Sequence, residues 1–228
     1  MRVLGIVPAR GGSKRVPRKN LARLGGSTLV RRALETSVAA GCFDVIVLSS
    51  DDDEILAEAE GLDIVVLRRP AELAADSALT RDVALHALHK AEALSARFDA
   101  VAIVQCTSPF TAPGDVAETV ELLERTGAES VVTVARVESA HHPLKLKRLE
   151  GDRLLPYLED DRMTPSQELP PLWVRNGSVY AFRRDVVERG LETDDVRGYE
   201  MPPERSFDID TPRDIAFAEF LLARGGLA

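Results

Sequence analysis

Two short stretches hold residue types able to do chemistry. The first, residues 7–20, reads VPARGGSKRVPRKN and sets five cations and two glycines behind a short apolar run. Gly11, Gly12 and Ser13 expose backbone N–H groups that can cradle a phosphate. Arg10, Lys14, Arg15, Arg18 and Lys19 add charge, and arginine offers a two-pronged fit to phosphate oxygens. Such a loop suits a polyphosphate better than a single carboxylate; the alternative is a solvated cationic loop. The second stretch, FDID at residues 207–210, spaces Asp208 and Asp210 two apart. At a strand end both carboxylates point to one side. Two hard oxygen ligands on one face suit magnesium, which completes its shell with water and phosphate.

Other clusters read more plainly. Asp51, Asp52 and Asp53 open an expected helix, where acids favour the dipole. His141 and His142 are adjacent on an extended segment and point opposite ways, so they make no metal pair. Cys106 has no histidine beside it and reads as a small filler residue. G-x-x-x-x-G-K-[ST] and G-x-G-x-x-G are both absent, which turns the reading away from P-loop ATPases and classical dinucleotide dehydrogenases.

The elements that position these residues alternate. RVLGIVP, DVIVLSS, DIVVLR, DAVAIVQC, SVVTVARV and SVYAF read as strands. Between them TLVRRALETSVAAG, DDDEILAEAEG, residues 80–94 and residues 115–125 read as helices, the first two closed by glycine. A last helix covers residues 212–224, with Thr211 as cap, Pro212 in the first turn and Asp214 three residues after the cap. Apolar strands alternating with helices imply a mainly parallel sheet covered on both faces, an α/β three-layer architecture. In such sheets ligands sit beyond the carboxyl ends of the strands. The rhythm breaks over residues 137–174, which are richer in proline and charge and read as an arm on one 228-residue domain.

Composition agrees with one globular core. Apolar residues are 45% and charged residues 29% of the chain, as in ordinary globular proteins. No apolar run nears the roughly 20 residues needed to cross a bilayer. A net charge of -8 argues against a nucleic-acid partner, which usually meets a basic face. Two cysteines make no disulfide framework, and RVLGIV is too short for a signal-peptide core. The expectation is a cytoplasmic protein.

PARGGSKRVPRKN resembles the N-terminal signature of the acylneuraminate cytidylyltransferases. The likeness continues through RRPAELAADSA, QCTSPF, HHPLK, RNGSVY and FDIDTPRD, in the family's order across nearly the whole chain. The resemblance implies an α/β nucleotide-binding sheet of nucleotidyltransferase type, CTP and Mg²⁺, a small anionic acceptor such as a nonulosonic sugar acid, and a homodimer built through the arm. Ala9, Arg10, Gly11, Gly12, Lys14, Lys19 and Asn20 would then hold the nucleotide, with Arg10 and Lys19 on its phosphates. Arg69 would join them, and Ala78, Leu79 and Thr80 would border the cytosine and ribose. The alternative for Arg69 is a surface ion pair with Glu72. Asp208 and Asp210 would hold the metal, and these two with Arg10 and Lys19 would carry the reaction. Gln105, Lys145, Asn176 and Gly177 would contact the acceptor.

The chain also departs from that pattern. Several relatives carry an arginine for the acceptor's carboxylate where this chain has Ser166, leaving Arg162 or Arg175 to supply the charge. RGGSKRVPRKN is also similar to cytidylyltransferases for pseudaminic acid, so the acceptor stays open. A phosphonate or other acid, or GTP in place of CTP, are the alternatives on the same fold. A non-catalytic nucleotide-binding module is the alternative from another class.

Overall fold

The structure is a computed structural model and describes residues 1–158 and 165–225. In chain order its strands are β1 (Val3–Pro8), β2 (Arg23–Leu24), β3 (Ser27–Thr28), β4 (Val45–Ser50), β5 (Val65–Arg68) and β6 (Ala100–Val104). They continue with β7 (Ser130–Arg136), β8 (Lys147–Glu150), β9 (Arg153–Pro156), β10 (Trp173–Arg183) and β11 (Val196–Glu200). The α-helices are α1 (Leu29–Ala39), α2 (Asp53–Ala57), α3 (Thr80–Glu92), α4 (Pro113–Thr126), α5 (Arg184–Glu188) and α6 (Pro212–Ala223).

Seven strands form the central sheet in the order β11-β7-β10-β6-β1-β4-β5. β10 runs antiparallel to β6 and β7, and the other pairings are parallel. The sheet is therefore mainly parallel, as the alternation of apolar strands and helices implies. All five residues of β6 are buried, which is the pattern of a strand covered on both faces. From β1 the chain moves outward through β4 to β5, then returns to β6 on the other side of β1. That reversal opens a crevice at the carboxyl ends of β1 and β6, the usual ligand position in such sheets.

Helices cover both faces because each carries one apolar stripe. On one face α1 buries Leu29, Val30, Ala33 and Leu34, packed with Ile55 of α2, Val116 of α4 and Ala218 of α6. On the other, α3 buries Ala84, Ala87, Leu88 and Ala91 against Leu4, Ile6 and Val101, beside Val186 and Val187 of α5. Helix ends follow local chemistry. The Thr28 side chain accepts from Arg31 N–H to open α1, and Gly127, in the left-handed region at φ 64°, closes α4.

Three features differ from the sequence expectation. FDID is irregular rather than a strand end: the Ile209 amide donates to the Thr107 carbonyl, and the Asp210 and Thr211 amides donate to the Asp214 carboxylate at the start of α6. Its backbone is committed to a helix entry and not to a ladder. β10 begins five residues before SVYAF, because residues 173–175 pair with β7 ahead of a register shift. The edge strand β11 and the five-residue α5 are additions. Within the expected arm, β8 and β9 form a hairpin turned at Gly151, paired to no strand of the central sheet.

Leu88 is fully buried at the centre of the α3 contact. Leu88→Ala is expected to lower unfolding free energy by about 2–5 kcal/mol, measured by urea denaturation. A loss below about 1 kcal/mol would show that α3 is not packed as described.

Candidate active site

β1 ends at Pro8 and delivers the cationic loop directly over the crevice. The loop is held from below by acids that follow β4. Asp51 Oδ1 accepts from the Gly11 amide at 3.0 Å, and Asp52 opens α2 by accepting from the Glu54 and Ile55 amides. A side chain at Gly11 would place its Cβ 2.6 Å from Asp52 Oδ2, so only glycine lets the loop pass this close. Asn20 is buried, and its Nδ2 donates to the Arg10 carbonyl at 2.9 Å, closing the loop on itself.

Beneath the loop lies a cavity of about 310 Å³. Arg10, Gly12, Lys19, Asn20, Arg69, Ala78, Thr80 and Gln105 all line it, as do Asp76, Cys106 and Thr107. Three segments far apart in sequence therefore converge: the loop after β1, the stretch from the end of β5 into α3, and the end of β6. Ala9 is buried behind the cavity, Gly11 sits on Asp51 and Asp52, and Leu79 is exposed at the α3 entrance.

Arg69 is the most unusual cation here. Its side chain is buried and donates to Ser49 Oγ at 3.2 Å, to the Ser49 carbonyl at 2.6 Å and to the Leu73 carbonyl at 3.3 Å. All three partners are neutral, and among the described residues no carboxylate pairs with it, Glu72 included. Burial lowers its pKa, with Asp51 opposing. A buried charge without a counter-ion is costly, and an anion in the cavity would relieve that cost.

The loop cations are differently arranged. Arg10 and Lys14 both hold Asp76, at 2.8 and 2.6 Å. Arg15 and Lys19 both hold Asp210, at 2.9 and 3.2 Å, while Arg18 meets Asp52 and Glu54. The two cations hold the Asp76 carboxyl below its usual range, Lys14 having the larger effect. Exposed pairs of this kind are each worth about 0–1 kcal/mol, so a polyphosphate can replace Asp76 at little cost. Asp76 is the partner that sequence reading passed over: it lies within RRPAELAADSA, but 66 residues from Arg10, and no spacing joins the two.

Neither Asp208 nor Asp210 lines that cavity; Asp208 adjoins its Thr107 and Asp210 its Lys19. Lys19 Nζ donates to the Ile209 carbonyl at 2.9 Å, so the residue between the two aspartates is tied to the cavity wall. Partial desolvation raises the Asp208 carboxyl above its usual range; Thr107 opposes this and Asp210 adds to it. Arg205, three residues upstream, anchors the segment by a two-pronged bond to the fully buried Asp115 at 2.8 and 2.7 Å. Among the described residues no group of three or more His, Cys, Asp or Glu forms a metal cage. Two carboxylates beside a cavity lined by Arg10, Lys19 and Arg69 nonetheless fit magnesium, which takes one or two protein carboxylates and completes its shell elsewhere.

A second cavity of about 560 Å³ adjoins the first, with Thr80 and Gln105 lining both. Arg175 and Tyr180 line it, but Asn176 and Gly177 do not. The Asn176 amide is occupied in the core: Oδ1 accepts from Thr133 at 2.6 Å and Nδ2 donates to Ser206 at 2.9 Å. Gly177, at φ 81°, makes the register shift of β10. Lys145 is also elsewhere, donating to Ser166 Oγ at 2.8 Å within the expected arm. Arg162 lies outside the described residues. Of the remaining candidates, burial pushes the Cys106 thiol up to about 12, far from a nucleophile. The buried His142 is fixed between the Pro170 carbonyl and the Leu144 amide, while His141 is exposed.

The cytidylyltransferase family profile matches residues 4–222. The chain belongs to that family. A CMP-N,N'-diacetyllegionaminic acid synthase of Legionella pneumophila is 31% identical over 97% of both chains. An N-acylneuraminate cytidylyltransferase of Oncorhynchus mykiss is also 31% identical, over 98% of this chain. A Streptococcus agalactiae protein of the same name is 29% identical over 94%. The chain spans about half the length of the latter two relatives. Among solved structures, CMP:2-keto-3-deoxy-manno-octonic acid synthetase complexed with CTP aligns over 99% of this chain and 100% of its own. Its TM-score is 0.74 at 18% identity. A 4-diphosphocytidyl-2C-methyl-D-erythritol synthase from Anaerococcus prevotii gives 0.67 at 18% identity over 98% and 99%. Both share the fold.

For this family member Arg69→Met is expected to weaken inorganic tripolyphosphate binding about tenfold or more, the worth of a hydrogen bond to a charged group. The melting temperature should change little, because relief of the buried charge offsets the loss of its hydrogen bonds to Ser49 and Leu73. Calorimetry on the folded variant checks this; unchanged affinity would exclude Arg69 from the anion site.

Proposed function

We propose that the chain transfers CMP from CTP to the anomeric hydroxyl of a nonulosonic sugar acid and releases pyrophosphate. The observation carrying this reading is the buried, uncompensated Arg69 in a cavity shared with Arg10 and Lys19. The choice of cytosine and of a sugar acid is supported by the names of the relatives.

CTP would enter with its triphosphate on Arg10, Lys19 and Arg69, displacing Asp76, and its base toward Ala78 and Thr80. The acceptor would sit in the adjoining cavity, with Gln105 at the boundary. The acceptor hydroxyl oxygen then bonds to the α-phosphorus from the side opposite the leaving group. The bond from that phosphorus to the bridging oxygen breaks, pyrophosphate departs with the electron pair, and the hydroxyl proton passes to water. The protein's part is positioning and charge neutralisation. Asp208 and Asp210 would hold Mg²⁺, whose charge would offset that of the triphosphate.

The setting we propose is cytoplasmic, supported by free Cys42 and Cys106; no helix among the described residues is long and apolar enough to cross a membrane. We also propose a homodimer through the arm, supported by Leu149 and Leu154, which pair across the hairpin and are 69% and 66% exposed.

Asp210→Asn and Arg10→Ala are each expected to lower turnover about 10²–10³-fold, as for other preorganised electrostatic groups, without unfolding the protein. Pyrophosphate release with Mg²⁺ checks this, with CTP set against other nucleotides and sugar acids against phosphonates. Release only with GTP, or only with a phosphonate, would overturn the assigned substrates. Near-wild-type release by both variants would overturn the assigned site.

A further inference from the structure

One acid in the anion cavity has no part in the proposed transfer beyond making way for the triphosphate. Asp76 lines the cavity beside Arg10, and its single carboxylate bridges two cations. Oδ1 accepts from Arg10 Nη1 at 2.8 Å, and Oδ2 meets Lys14 Nζ at 2.6 Å. Neither cation is exhausted by the contact. Among the described residues Arg10 spends only Nη1 on Asp76, and Lys14 meets no other acid. A guanidinium carries five N–H donors and an ammonium three. Both cations can therefore hold a phosphate and the carboxylate together while one replaces the other.

The backbone lets this carboxylate move between two fixed points. Upstream, the Leu73 carbonyl accepts from the buried Arg69 guanidinium at 3.3 Å, and the Leu73 amide donates to the Pro70 carbonyl at 3.0 Å. Downstream, Thr80 opens α3. Between them Asp76 and Ser77 are the exposed tip of a turn, closed by the Ala78 amide on the Ala75 carbonyl at 3.0 Å. Ala74, Ala75 and Ala78 flank the tip, so no long side chain pins it. The Asp76 side chain is 49% exposed and, among the described residues, is held by Arg10 and Lys14 alone. Displaced, it stays tethered near its cations at a high effective concentration. A free anion must reach them by diffusion.

We propose that Asp76 is a positioning residue for product release: its carboxylate re-engages Arg10 and Lys14 while pyrophosphate is still bound, and so hastens its departure. This role rests on the proposed transfer reaction, whose leaving group is pyrophosphate. A site built to hold a triphosphate also retains the fragment it produces, and product release limits many enzymes. The internal acid lowers the affinity of the site and in doing so clears it.

The test measures binding of inorganic pyrophosphate with Mg²⁺, its affinity by calorimetry and its dissociation rate by phosphorus NMR line broadening. Asp76→Asn is expected to tighten binding about three- to tenfold, as for the loss of two exposed competing ion pairs, chiefly through slower dissociation. Asp76→Glu, which keeps the charge, should restore part of the faster dissociation. Glu72→Gln removes the same charge from an exposed residue four positions earlier that touches neither cation, and should leave affinity within about twofold. Unchanged or weaker binding by Asp76→Asn overturns the proposal, as does an equal gain from Glu72→Gln, which would assign the effect to overall charge. A gain carried by faster association alone also overturns it, since Asp76 would then obstruct entry and take no part in release. Slower dissociation from Asp76→Asn, with no pyrophosphate released from CTP by wild-type protein, supports the exchange and overturns the reaction instead.

Discussion

Lys19 is the tie on which the site depends. Its ammonium meets the Ile209 carbonyl and the Asp210 carboxylate, joining a loop near the start of the chain to a segment about 190 residues later. The side chain is only 15% exposed, so the contact is partly shielded from water and stronger than a surface pair. One residue thus faces the anion cavity and also fixes the paired aspartates beside it. Gly11 on Asp52, Asn20 on Arg10 and Arg205 on Asp115 serve the same arrangement from three other directions.

The cationic loop of an acidic protein then has a physical account. Its five cations do not stand free; Asp76, Asp210, Asp52 and Glu54 neutralise them. Pairing keeps the loop ordered without its ligand, and solvent exposure keeps most of those pairs weak enough to exchange. Arg69 differs because its hydrogen bonds go to neutral groups in a buried setting. Exchangeable pairs at the rim and one uncompensated charge at the wall together favour a multiply charged anion over a single carboxylate.

Much of this was legible from sequence, for a local reason. The apolar runs of β1, β4, β6 and β7 and the glycine stops of the helices depend on neighbours within a few residues. The loop and the aspartate pair were visible because their charges are concentrated. What escaped was set by distant contacts. FDID reads like a strand, yet its amides go to Thr107 and Asp214. VRGYE is β11, an edge strand with mostly exposed residues and therefore no apolar alternation to reveal it. Asn176 looks like a ligand-binding amide but is committed to Thr133 and Ser206, and it is Arg175 beside it that reaches the cavity. Neither pattern nor spacing records which way such a side chain faces at a register shift.

The most direct test of the central claim is a crystal structure with CTP and Mg²⁺ in the absence of acceptor. The account predicts the triphosphate against Arg10, Lys19 and Arg69, the Asp76 carboxylate released from Arg10 and Lys14, and the metal on Asp208 and Asp210. CTP bound with Arg69 still facing only Ser49 and Leu73, and with Asp76 still clamped, would contradict it.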